Sequence, residues 1–201
     1  MNKKYKGIAI FGAPGSGKTT IAKLLLTSFP SATHVEAFNF VINPAASIKK
    51  KLPEKEIDFI QTIGKIYNKK IEKNLPREEA RNFFTYLKNR YSSSVIAKTL
   101  IYIHQKKFSK KFIIIAGIRG YQNSTHFKKN DYLVVYLKTP DKHLAMRVSK
   151  RENFSQKDAE KEKQIEERLF STSKVEKIAH LSFNTAVTKQ KEIVAQIKAL
   201  V

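Results

Sequence analysis

The sequence predicts a three-layer α/β fold, a parallel sheet with helices on both faces, and three observations predict it. Apolar segments of strand length alternate along the chain with segments of helical periodicity. Two of the apolar runs, Phe112-Ile113-Ile114-Ile115-Ala116-Gly117 and Tyr132-Leu133-Val134-Val135-Tyr136-Leu137, are continuous, as strands covered on both faces must be. The first strand turns into the first helix through Gly12-Ala13-Pro14-Gly15-Ser16-Gly17-Lys18-Thr19, which fits G-x-x-x-x-G-K-[ST] at a strand-to-helix junction.

The first strand is expected over 5–11, and the helix after the glycine-rich loop ends near Ser28-Phe29-Pro30. A short strand over 33–36 leads into an irregular Pro- and Asn-containing segment, 37–53. Ile57, Ile60, Ile63, Ile66, Tyr67 and Ile71 then recur at helical spacing over 54–74. Pro76 and Arg77 open a second helix through Arg90, and a third runs over 93–107 with Val95, Ile96, Thr99, Leu100 and Ile103 on one side. This helical block, about 37–107, exceeds a minimal crossover and is read as a substrate-covering region within a single 1–201 domain. After the two buried strands, a helix begins behind Thr139-Pro140-Asp141, and a polar stretch follows. A helix to about Lys177, a short strand over 180–183 and an amphipathic helix over 188–200 complete the chain.

The loop carries the chemistry. Glycines let consecutive backbone N–H groups turn inward around phosphates, at a helix N-terminus whose dipole favours anions. Gly12, Ala13, Gly15, Ser16, Gly17 and Thr20 would line that cradle, Lys18 would place a point charge on the β- and γ-phosphates, and the Thr19 hydroxyl would ligate Mg²⁺. The chain is therefore expected to bind a nucleoside triphosphate.

Composition narrows the rest. At 201 residues and 41% hydrophobic content the chain suits one domain with a real core. With no cysteine, disulfides and thiolate catalysis are excluded; the basic start flows into a strand rather than a signal peptide, no membrane span is expected, and a cytoplasmic location is. The net charge of +22 is uneven, with no acid between residues 80 and 130. Lysines cluster before strands, which places them at the end of a parallel sheet opposite the nucleotide. Such a surface can meet RNA or DNA. Aromatics interleaved with those lysines have core-like spacing, however, so a solvated basic surface is the favoured reading and nucleic acid the less favoured one.

Only seven of the 39 basic residues are arginine. Arg147 and Arg151, four apart on one helix face, lead into a polar segment, about 147–163, that can close as a lid and put guanidinium groups on a γ-phosphate. Arg119 follows the central strand at its carboxyl end, where the acceptor should sit, and is expected to orient it there together with Arg81 or Arg90 of the helical block, which are candidates for holding an acceptor's phosphate or carboxylate. Among the acids, Glu36 ends the second strand beside the phosphate loop and is the best candidate for the catalytic carboxylate. Asn184, after the last strand, is placed to meet the nucleotide's base or ribose, or simply to form a turn. The five histidines lack zinc spacing, and no Asn/Thr-Lys-x-Asp guanine motif occurs.

Together these features resemble the nucleoside monophosphate kinase group of P-loop proteins, especially deoxynucleotide-kinase-like and dephospho-CoA-kinase-like members. The resemblance spans most of the chain. It rests on the loop at 12–19, Gly117-Ile118-Arg119, Arg147-x-x-x-Arg151, and Glu167-Arg168 before a helix ending near the strand closed by Asn184. It implies the P-loop NTPase fold with five parallel core strands, a helical acceptor-binding region, an arginine-bearing lid, and ATP with Mg²⁺ as phosphoryl donor. It also implies a nucleotide-like acceptor, a nucleoside or deoxynucleoside monophosphate. The chain departs from the pattern where Ala116 replaces the Asp that commonly precedes G-I-R in such relatives. Ala46 replaces an acid too, if 45–49 is the counterpart of the segment after strand two. The alternative expectation is an ATP-binding P-loop protein with weak or no transfer, docking RNA, DNA or a protein through its basic surface.

Overall fold

The computed structural model describes residues 5–36, 77–140, 143, 146 and 156–201. Five strands, β1 (Gly7–Gly12), β2 (Thr33–Glu36), β3 (Ile113–Ala116), β4 (Tyr132–Lys138) and β5 (Leu181–Asn184), form one sheet in the order β2-β3-β1-β4-β5. Every pairing is parallel, with Ile8 opposite both Ile114 and Leu133, and Glu36 opposite Ala116. The described helices are α1 (Lys18–Ser28), α2 (Arg77–Arg90), α3 (Val95–Lys107), α4 (Tyr121–Lys129), α5 (Gln156–Phe170), α6 (Thr172–Ile178) and α7 (Gln190–Leu200).

Strand periodicity splits the core into two layers. Successive side chains of a strand point to opposite faces. Ile8, Ile10, Ile114, Ala116, Leu133 and Val135 accordingly pack with Ile21, Ala22 and Leu25 of α1 and Ile193 and Ile197 of α7. The alternate set, Ala9, Phe11, Ile113, Ile115 and Val134, packs with Leu100 and Ile103 of α3, Phe127 of α4 and Val175 of α6. Burying each of the larger aliphatic side chains stabilises the fold by about 1.5–3 kcal/mol. The continuous apolar runs of β3 and β4 thus serve both faces at once, as their sequence predicts.

Two details differ from expectation. Helix α4 is absent from the periodicity because Phe127 is its one large buried apolar residue. It forms nonetheless, because parallel β3 and β4 need a crossover. The helix expected to run on to Lys177 is instead broken: Ser171 adopts a left-handed conformation (φ 47°), so α5 stops at Phe170 and α6 starts at Thr172. Glu167 makes that break regular. Its carboxylate accepts bonds from the backbone N–H of Ser173 at 3.0 Å, the Ser173 hydroxyl at 2.6 Å and the Thr172 hydroxyl, satisfying the start of α6. The helical segment over 54–74 and the irregular segment before it lie outside the described residues, as do Ala46 and most of the helix after Pro140. Of the segment expected to form a lid, about 147–163, only 156–163, the first turns of α5, lies within the described residues.

A candidate nucleotide and phosphoryl-transfer site

The glycine-rich loop folds as its sequence requires. Gly12, Gly15 and Gly17 have φ of 144°, 81° and 90°, backbone that β-carbon-bearing residues avoid. The Ser16 N–H donates to Ala13 O at 3.1 Å, tightening the turn, and Gly17 serves as the left-handed N-cap of α1. Helix α1 has no acid in its first turn, so its positive end is not offset by its own side chains. Lys18 is buried, and its ammonium donates to Gly12 O at 2.9 Å and Ala13 O at 2.8 Å, which pins it across the loop. Thr19 and Thr20 are exposed at the mouth, while Ser16 is buried with its hydroxyl lacking a hydrogen-bond partner.

Glu36 stands beside this loop. Its carboxylate is reached by the Thr19 hydroxyl and feels the charge of Lys18. Burial pushes the carboxyl up, but the His34 and Thr19 contacts and the Lys18 charge outweigh it, holding the group below the ordinary carboxylate value. His34, two residues earlier on the same face of β2, has its Nε2 3.4 Å from Glu36 Oε1, without hydrogen-bond alignment. Glu36 is also in register with Ala116 on the neighbouring strand, one strand spacing (about 4.8 Å) away. Ala116 itself is fully buried against the α1 side of the sheet. The carboxylate missing at the end of β3 thus has a neighbour at the same level of β2.

The other predicted residues are placed as follows. Arg119 lies in the loop between β3 and α4, flanked by Gly117 (φ 69°) and Gly120 (φ 96°). Its guanidinium bonds Glu166 of α5 and sits 5.7 Å over the Phe170 ring. Both partners are largely buried. Arg90 is exposed at the end of α2, and Arg81 is on the same helix. Arg147 and Arg151 lie outside the described residues. Asn184 closes β5, its Oδ1 accepting the Ala186 N–H at 3.1 Å in a local turn. Among the described residues no group of three or more metal-ligating His, Cys, Asp or Glu side chains occurs. None of their helices is long and apolar enough to cross a membrane.

Sequence reasoning missed Glu166 and gave His34 no role beyond exclusion from a zinc site. The position of His34, one pleat before a strand-end acid, was a readable signal. The partnership of Arg119 with a residue 47 positions away was not.

A parallel sheet in the order 2-3-1-4-5, with the phosphate loop between β1 and α1 at its carboxyl end, defines a P-loop protein of kinase-like fold. The AAA domain family model matches residues 8–168, most of the chain, and the protein belongs to that family. Among solved structures it is similar to the shikimate kinase of Acinetobacter baumannii in complex with shikimate, at 15% identity and TM-score 0.50, covering 98% of this chain and 93% of that one. It is likewise similar to a gluconokinase from Sinorhizobium meliloti 1021, at 14% identity and TM-score 0.52, covering 96% and 89%. TT1252 from Thermus thermophilus matches at 15% identity and TM-score 0.52, over 96% and 94%. At such identities the likeness is one of fold. No curated protein matches the sequence.

Proposed function

We propose that the protein transfers the γ-phosphoryl group of ATP to a small nucleotide-like acceptor, with nucleoside and deoxynucleoside monophosphates as the acceptor class. The observation that carries this reading is the Glu36 carboxylate, kept ionised beside Thr19 and Lys18 at the level of the missing β3 acid. In this reading the amides of 12–17 and Lys18 hold the β- and γ-phosphates. The acceptor oxygen attacks the γ-phosphorus, the bond from γ-phosphorus to the bridging oxygen breaks, and ADP leaves. A monophosphate acceptor, largely ionised at neutral pH, has no proton to give up; with a hydroxyl acceptor, as in dephospho-CoA, Glu36 would accept the proton directly or through a water. The Thr19 hydroxyl and Glu36, whose buried Oε1 lacks a hydrogen-bond partner, are hard oxygen donors that suit Mg²⁺. Bound there, Mg²⁺ would neutralise phosphate charge. Arg147 and Arg151 are assigned to that charge from the lid, and Arg81 and Arg90 to the acceptor. Arg119, paired with Glu166, holds the acceptor-side loop against the lid helix. Positioning and electrostatics supply most of the rate in such chemistry.

The test is a product assay with ATP and Mg²⁺ against ribo- and deoxynucleoside monophosphates plus dephospho-CoA, with Lys18→Ala and Glu36→Gln. A phosphorylated product that needs Lys18 and falls about 10²- to 10³-fold in kcat with Glu36→Gln supports the reading. ATP binding with no product from any acceptor would replace it with that of an ATP-binding protein in which Ala116 marks lost transfer.

A further inference from the structure

We infer that the outer surface of α3 and α4 binds single-stranded nucleic acid, through Lys98, Tyr102, Lys106 and Lys129. On α3 the positions 98, 102, 105 and 106 are exposed while 95–97, 99–101, 103 and 104 are buried, so Lys98, Tyr102 and Lys106 ride one solvent edge. They follow at intervals of four residues, about 6 Å of helix each, a spacing comparable to that of successive phosphates on an extended strand. Tyr102 is 52% exposed, unlike the aromatics interleaved with the lysines before the strands, Tyr5, Phe108, Phe112, Phe127 and Tyr132, which are buried as expected. An exposed tyrosine between lysines is the pairing that strand binding uses, a face for a base to stack on and charges for the backbone.

Helix α4 packs beside α3 and extends the positive surface. His126 of α4 feels both Lys98 and Lys129, which together with its burial disfavour its charged form. No acid occurs between 80 and 130, and among the described residues no carboxylate pairs with Lys98, Lys106 or Lys129. The lysines first expected to form a basic end are partly committed: Lys6 pairs with Asp131 at 2.9 Å, and Lys128 donates to Ile178 O. The α3–α4 surface also lies across the sheet from α1, so a bound strand need not compete with the nucleotide.

The experiment is fluorescence anisotropy of a labelled 12-nucleotide oligouridylate across a salt series with the full chain. Lys98→Glu/Lys129→Glu is compared with Lys191→Glu/Lys198→Glu, which removes equal charge from the exposed side of α7. The first variant is expected to weaken binding at least tenfold and to reduce the slope of log affinity against log salt by about 1.4, two single-strand phosphate contacts. The α7 variant is expected to change affinity less than threefold. Tyr102→Ala is expected to lose about tenfold on the single strand and little on a duplex of equal length. Equal losses for the two charge variants, no binding by the wild type at 50 mM salt, or sensitivity to Lys98 and Lys129 only with phosphatidylserine vesicles would overturn the inference. Thermal melts confirm that each variant is folded before its affinity is read.

Discussion

Gly12 and Gly17 are glycines for different reasons. A β-carbon on Gly12 would lie 2.5 Å from both Leu137 O and the Ser16 hydroxyl oxygen, and the first of these is backbone of a central strand that cannot retreat. A β-carbon on Gly17 would meet nothing within 4 Å, and only its φ of 90° resists. In the absence of nucleotide, Gly17→Ala should therefore cost about 1–2 kcal/mol, and Gly12→Ala clearly more, in urea unfolding. Equal costs would mean that the loop relaxes around the added carbon. Glu167 gives a pH test at the same scale. Its carboxyl lies below the ordinary value of 4.5, because bonds from Ser173 and Thr172 outweigh the upward push of burial. A depressed acid stabilises the fold above its unfolded value and loses that contribution as pH falls through its folded value. Glu167→Gln should then cost about 1 kcal/mol at neutral pH, with the difference from wild type shrinking at pH below about 4.

At the scale of elements, the loop after β3 and helix α5 are joined by a buried ion pair. Arg119 and Glu166 are 17% and 5% exposed, so removing either charge leaves the other in a poorly solvated place. Such a loss costs roughly 3–5 kcal/mol, whereas replacing both partners by apolar residues of similar size is far milder. Arg119→Met and Glu166→Leu should each destabilise strongly, and the double variant should fall well short of their sum in chemical denaturation; strict additivity would remove the pair as a structural tie. The tie also shows what was legible. Strand positions could be read because β3 and β4 are unbroken apolar runs, and the loop because its glycine spacing is unusual. Helix α4, with one large buried apolar residue, and the break at Ser171 could not be read, since a crossover requirement and a distant carboxylate decide them.

At the scale of the whole molecule, a parallel sheet covered on both faces follows from the alternation of strand-like and helical segments visible in the sequence, whereas the strand order β2-β3-β1-β4-β5 does not, and the candidate site was half visible. Glu36 was legible from topology, because a strand-end acid beside a phosphate loop has few other places to point. The engagement of Arg119 by Glu166 depends on a tertiary contact that no local pattern encodes. The charge of +22 bears on any nucleotide measurement, since a lysine-rich surface gathers anions without a site. Specific and diffuse binding separate in one experiment. A ligand that binds only the folded state at 100 times its Kd adds about 2.7 kcal/mol, which for a chain of this size raises Tm by about 5–10 °C. In 0.3 M salt, where charges more than about 6 Å apart on the surface are largely screened, ATP with Mg²⁺ should still raise the wild-type Tm by that amount. Lys18→Ala removes one charge of 39 basic residues, so surface binding would survive it almost intact. Loss of most of the shift in that variant assigns the nucleotide to the loop; an undiminished shift would mean that ATP binds the basic surface instead.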